Sequence, residues 1–173
     1  GPNVCCLRRE DHKVLGRSAQ EEKILFSCGR PNIGVHVRII NENGEDSNPG
    51  EVGEIIVKGN TMIEFWDKPE QTLETVRDGW IYTGDMGYYD ESGYIYIVDR
   101  KKDMIISGGE NVYPREVEEI LYQHPAVKEA AVIGVPDAYW VERVHAVVVW
   151  KNGMTVSAEE LMEFCKKRIA GYK

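Results

Sequence analysis

A lone acid, a basic cluster and a glycine pair fall within about thirty residues of one another: Tyr82-Thr83-Gly84-Asp85, then Arg100-Lys101-Lys102-Asp103, then Ser107-Gly108-Gly109-Glu110-Asn111. Asp85 offers two acceptor oxygens, a match to a vicinal diol such as the 2′ and 3′ hydroxyls of a ribose. Gly84 before it lets the backbone come close to a ligand. Arg100 carries a fixed fork of donors suited to phosphate or ribose oxygens. Each residue has an equally ordinary use. Asp85 can cap a turn, Arg100 can pair with Asp85, Asp99 or Asp103, and Ser107-Gly108-Gly109 can be a plain loop or a gap that admits a thin ligand.

The elements that must position these residues are legible as patterns. Val35, Val37 and Ile39 alternate with His36, Arg38 and Ile40 and predict a strand, with Asn41–Gly44 as a turn and Glu54–Lys58 as the next strand. Thr72–Thr75 reads as a short helix after Pro69, and Asp78-Gly79 turns the chain into a strand at Ile81-Tyr82. Gly87–Tyr89 and Tyr94–Val98 flank the acidic loop Asp90–Gly93 and predict a hairpin. Residues 34–100 thus read as a twisted antiparallel sheet, barrel-like, with little structure expected over 1–31.

The texture changes after Arg100. Met104–Ile106 reads as a short buried strand, and Pro114 opens a helix with Val117, Ile120 and Leu121 on one face. Val127–Val135 and Val144–Trp150 read as strands, and Ser157 with Glu160 predicts a capped final helix. The expected fold class is mixed α/β: a barrel-like subdomain over 1–101 and a small α+β domain over 102–173, joined by a short charged hinge.

Composition narrows the function classes. The 173 residues carry a net charge of −8, which argues against a generic nucleic-acid or anionic-membrane surface. No apolar run approaches the roughly 18 residues of a membrane helix, and the N-terminus, whose Gly1-Pro2 is either native or a tag scar, shows no export signal. Cys5, Cys6, Cys28 and Cys165 form no CxxC pair, so reduced thiols and a cytoplasmic location are expected. The histidines have no metal-ligand spacing, and no metal site is expected.

The ordered set of motifs resembles the adenylate-forming, AMP-binding enzymes, in particular the acyl-CoA synthetases. It comprises Gly53-Glu54, Lys58-Gly59, Gly79-Trp80, Thr83-Gly84-Asp85, Gly93 with Ile97, Asp99-Arg100, Ser107–Pro114, Glu116–Glu118, Val132–Asp137 and Trp140. The resemblance spans roughly residues 27 to 173. It implies a two-step reaction in which a carboxylate and ATP give an acyl-adenylate and CoA then displaces AMP. It further implies that Asp85 holds the ribose hydroxyls, Arg100 contacts ribose or phosphate, Ile97 packs near the nucleotide and Lys102 is the hinge. Gly108, Gly109, Glu110 and Asn111 would border the pantetheine passage.

The same resemblance implies parts that lie elsewhere. The phosphate loop and the segment whose Glu helps hold Mg2+ are expected before residue 1. The catalytic lysine is expected beyond Lys173, with Gly171-Tyr172-Lys173 as its lead-in. The expectation is therefore a C-terminal fragment, inactive alone and open to self-association through exposed apolar surface. One departure stands out: many relatives have Gly-Glu after the tryptophan, whereas Val141 precedes Glu142 here. The carboxylic acid is not specified. The alternatives are a non-catalytic nucleotide-binding or interaction module, or an adenylating enzyme with a carrier-protein acceptor or luciferin-type oxidation.

Overall fold

A computed structural model describes residues 3–14, 16, 18–59, 62 and 64–171. Gly1-Pro2 and Tyr172-Lys173 lie outside the described residues. The chain divides into two compact units, Gly1–Lys101 and Lys102–Lys173, each with its own core.

In the first unit, β1 (Cys5–Cys6) pairs with β2 (Arg30–Pro31), with the short helix α1 (Ala19–Glu22) between them. A larger antiparallel sheet follows: β3 (Val35–Ile40), β4 (Gly53–Gly59), β5 (Val76–Arg77), β6 (Trp80–Tyr89) and β7 (Ile95–Arg100). Its order is β3-β4-β6-β5, with β7 also on β6. The sheet stays open, since no pairing among the described residues closes it into a barrel. Alternation puts Ile39, Ile55, Val57 and Ile95 into one core, packed by Val4, Cys5, Val35, Val37 and Tyr89. The helix α2 (Pro69–Thr75) starts with proline at its first turn.

The described residues between 3 and 31 are more ordered than their local sequence implies. The Tyr94 hydroxyl donates to Asp11 at 2.6 Å across 83 residues, and the Arg30 guanidinium lies 4.7 Å from the centre of the Tyr94 ring. These contacts are tertiary, so no local pattern encodes them.

In the second unit, β8 (Ile105–Ser107), β9 (Glu110–Val112), β10 (Val127–Asp137) and β11 (Val141–Trp150) form a sheet of order β10-β11-β8-β9. The helices α3 (Pro114–Tyr122) and α4 (Ala158–Lys166) complete it. Val117 and Leu121 on α3 and Leu161 on α4 join Ile105, Val112, Val127 and Val132 in the core. The Ser157 hydroxyl accepts the Glu160 N–H at 3.1 Å, the cap expected from sequence. The strand β9 goes beyond the sequence expectation, because three residues between a glycine turn and a proline carry too little pattern to read. Ile106, expected to be buried, is exposed, since only alternate residues of β8 face the core.

The outer edge of β10 is covered by α3. The Tyr122 hydroxyl accepts the Ala130 N–H at 3.3 Å and donates to the Ala130 carbonyl at 3.2 Å. A Glu118 carboxylate oxygen accepts the Val132 N–H at 2.9 Å.

Candidate functional site

Asp85 is part of a strand and not of the turn that its glycine neighbour suggests. Tyr82 pairs with Ile56 and Met86 with Glu54, so Thr83, Gly84 and Asp85 lie opposite Ile55 alone. This is a bulge, and each of its residues has a task. The Thr83 hydroxyl donates to the Ile55 carbonyl at 2.8 Å and accepts the Asp85 N–H at 3.0 Å, supplying hydrogen bonds that the interrupted ladder lacks. Gly84 adopts φ +72°, which favours glycine. A side chain there would meet nothing within 4 Å, so space lies open beside the bulge.

On its other side β6 meets β7 in a second irregularity. Asp85 pairs with Arg100, Met86 with Asp99 and Gly87 with Ile97, which leaves Val98 as the extra residue. Gly87 allows this close approach, since a Cβ there would run into the Tyr96 carbonyl oxygen and the Ile55 side chain. The register brings Arg100 Nε to 3.0 Å from Asp85 Oδ1. Of the three acids within reach in sequence, Asp85 takes this ion pair. Asp85 is 30% and Arg100 58% exposed, so both face solvent in part. Ile97 is 43% exposed, one bulge away. Asp85 and Arg100 thus come together on β6 and β7, while Ile97 lies further along β7, opposite Gly87. Beside them Lys101 Nζ sits 2.7 Å from Glu54 Oε2. Lys102 occupies the short 3-10 turn Lys101–Asp103, where the two units divide.

Gly108, Gly109, Glu110 and Asn111 belong to the second unit. Ser107 pairs with Glu110, so Gly108-Gly109 is a two-residue hairpin loop. Both glycines have positive φ, +60° and +86°, as the favoured two-residue turns require. Gly108 donates its N–H to the Trp140 carbonyl at 2.9 Å, and a Cβ on it would come within 2.7 Å of the Trp140 ring. The tryptophan therefore lies flush against the glycine turn.

Asp137 and Glu142 brace this turn. Asp137 accepts the Tyr139 and Trp140 N–H groups at 2.9 and 3.0 Å. Those backbone donors, Trp140 first, together with Arg143 hold its carboxyl below the usual carboxylate range. Glu142 accepts the Ile106 N–H at 2.8 Å and so ties β11 to β8. Val141 has φ +68°, an outlier for a β-branched residue, at the position where the family resemblance expects glycine. The sequence signals for this region are the Val132–Asp137 and Trp140 motifs and the Val141-Glu142 departure. Among the described residues, no group of three or more His, Cys, Asp and Glu side chains is arranged to hold a metal.

Comparison with known proteins agrees with this architecture. Residues 116–173 match the AMP-binding enzyme C-terminal domain family. A long-chain-fatty-acid–CoA ligase of Bacillus subtilis is 56% identical over 133 residues, which is 76% of this chain and 24% of the relative. A fatty acid–[acyl-carrier-protein] ligase of Streptomyces coeruleorubidus is 45% identical over 174 residues, 100% of this chain and 32% of the relative. Among solved structures, the o-succinylbenzoate CoA synthetase of Bacillus subtilis in complex with its acyl-adenylate intermediate superimposes with a TM-score of 0.83 at 40% identity. That match covers 98% of this chain and 33% of the synthetase. The chain thus spans about a quarter to a third of the length of its relatives. The ordered motifs, the bulge they build and these similarities lead to one assignment: the chain belongs to the family of AMP-binding, adenylate-forming enzymes.

Proposed function

We propose that this chain is part of an ATP-dependent acid–thiol ligase, an acyl-CoA synthetase that activates a carboxylic acid as its acyl-adenylate and passes it to CoA. The first unit would be the end of a large AMP-binding domain and the second unit most of the small domain that follows it. The observation that carries the proposal is the Thr83–Asp85 bulge, which holds Asp85 against Arg100 with open space beside Gly84. A ribose diol donates to Asp85, and Arg100 donates to ribose or phosphate oxygens while keeping the carboxylate in place. Ile97 offers apolar surface to the base. Lys102 is the hinge, as expected of a residue at the end of an element where two bodies divide. Gly108, Gly109, Glu110 and Asn111 border the pantetheine passage, where the open space beside Gly109 leaves room for a narrow chain. Mg2+ accompanying the nucleotide phosphates would be held by residues of the longer protein. Catalysis, with its lysine, would likewise need the portion of the family's length that this chain does not span.

Isothermal calorimetry with AMP tests the proposal. The chain should release heat on binding, and Asp85→Ala should abolish it. Equal heats from both proteins would defeat the assignment of Asp85. The absence of any heat from the wild-type chain would defeat AMP binding by this chain alone.

A second reading is favoured by one observation: the Streptomyces relative, a ligase for an acyl-carrier protein, aligns over the whole of this chain. The acceptor is therefore either CoA or a carrier protein, and thioester formation by the full-length protein with each acceptor decides between them. None of the four cysteines forms a disulfide, which fits a reducing cytoplasm. No helix among the described residues is long and apolar enough to cross a membrane. Exposed Phe26, Ile33, Trp66 and Leu73 supply apolar surface for self-association, and a monomer by light scattering would exclude it.

A further inference from the structure

Two ion pairs in consecutive residues fasten the end of β7 and the start of the turn after it to two different strands. Arg100 is held by Asp85 of β6, and Lys101 by Glu54 of β4. The second pair is unequal. The Glu54 side chain is 11% exposed while Lys101 is 57% exposed, so a largely buried carboxylate reaches out to an accessible ammonium. The backbone fixes Glu54 from both sides, since it pairs with Ile40 on β3 and with Met86 on β6. Its neighbour Gly53 permits that closeness: a Cβ there would meet the Ile40 carbonyl and come within 2.7 Å of the Ser47 hydroxyl. A buried carboxylate is stable only with a partner, and Lys101 is the partner here.

We infer that Glu54 is a positioning residue for the pivot: through Lys101 it pins the last residue of the first unit to the sheet, so that rotation begins at Lys102 and not upstream. The inference rests on the hinge role proposed for Lys102. A hinge needs a few free torsions beside a rigid base. The Asp85–Arg100 pair alone leaves Lys101 held only through its own backbone. With Glu54 engaged, residues 100 and 101 are both fixed by their side chains, and Lys102 is the first residue that neither clamp holds. The same clamp keeps Arg100 in register with Asp85, so the nucleotide-holding pair would stay in place while the second unit turns.

Amide hydrogen exchange, read by NMR on the 173-residue chain, tests this with three variants. In Lys101→Met and Glu54→Gln, the amides of residues 101–104 should exchange roughly fivefold faster, the factor expected for a clamp of about 1 kcal/mol. In Lys101→Arg, which keeps the charge, they should stay near the wild-type rate. The amides of Ile39 and Ile55, in the core of the same unit, should not change in any variant. Lys101 is exposed, so Lys101→Met reads the clamp even where Glu54→Gln impairs folding. Unchanged rates at 101–104 overturn the inference. So does equal acceleration at Ile39 and Ile55, or an Arg variant that behaves like Met. AMP calorimetry on the same samples reads the nucleotide proposal separately. No heat together with a fivefold exchange effect would sink that proposal and leave the anchoring of Lys101 by Glu54 in place.

Discussion

The two glycine-bearing signatures of this chain look alike in sequence and work in opposite ways. In the first unit, Gly84 and Gly87 distort a long strand so that side chains meet: Thr83 repairs the ladder and Asp85 reaches Arg100. In the second unit, Gly108 and Gly109 carry no side chains of their own, the indole of Trp140 packs against Gly108, and the space beside Gly109 stays open. One region concentrates functional groups by bulging a sheet, and the other makes a smooth wall by removing them. A glycine pair is thus informative only together with its surroundings, here a ten-residue strand in one case and a three-residue hairpin arm in the other.

The contrast can be broken most sharply at Gly87. Gly87→Ala drives a methyl group into the Tyr96 carbonyl and the Ile55 side chain, so the first unit should lose about 3 kcal/mol. Urea denaturation with probes in each unit would show the loss in the first unit and none in the second. Gly108→Ala is the matching change in the other region. It combines a left-handed conformation with a collision against Trp140, and about 2 kcal/mol should be lost from the second unit. Tryptophan fluorescence should report the displaced indole. If either alanine destabilised both units equally, the division into two independent cores would be wrong.

Two smaller effects sharpen the comparison. Tyr94→Phe removes a hydrogen bond to the buried Asp11 carboxylate and should cost about 1.5 kcal/mol in the first unit. The Tyr94 hydroxyl, ahead of the Arg8 N–H and the Arg30 charge, holds the Asp11 carboxyl below its usual value against the opposing pull of burial. A depressed acid stabilises the fold above its unfolded value, about pH 3.9, and loses that contribution as pH falls through the lower folded value. The deficit of Tyr94→Phe relative to wild type should therefore be full at neutral pH and shrink in acid, as unfolding midpoints across pH 2–7 would show. Val141→Gly should act in the other direction. It relieves a β-branched residue at φ +68° and should stabilise the second unit by about 1 kcal/mol, net of the entropy that glycine adds to the unfolded chain. A lower melting temperature in this variant would mean that Val141 makes contacts worth more than its strain.

What the sequence made legible followed period and punctuation. The strand at 35–40, the hairpin around Asp90–Gly93, Pro114 at a helix start and the Ser157 cap each depend on near neighbours, and the structure has them all, while the helix expected at Thr72–Thr75 begins earlier, at Pro69 itself. The bulge at Thr83–Asp85 was invisible as a bulge, because it is defined by what lies opposite Ile55, almost thirty residues earlier. The attachment of the N-terminal segment to Tyr94 and the Glu54–Lys101 pair also join residues far apart in sequence, so no local pattern encodes them. Glu54 was visible as part of a motif but not as a partner. Val141 departs from the family pattern in sequence, but its left-handed backbone is set by the turn between β10 and β11 and not by its own residue type.

The covering of β10 by Tyr122 and Glu118 bears on how the second unit behaves in crowded solution. An eleven-residue outer strand carrying exposed Ile133 and Val135 is a template onto which a strand from another molecule can add. By occupying the Ala130 and Val132 backbone groups, one hydroxyl and one carboxylate leave an incoming strand without its first hydrogen bonds. At Ala130 and Val132 the edge is therefore closed to a further strand by two side chains of a helix, in addition to the charges and the proline that the strand itself carries.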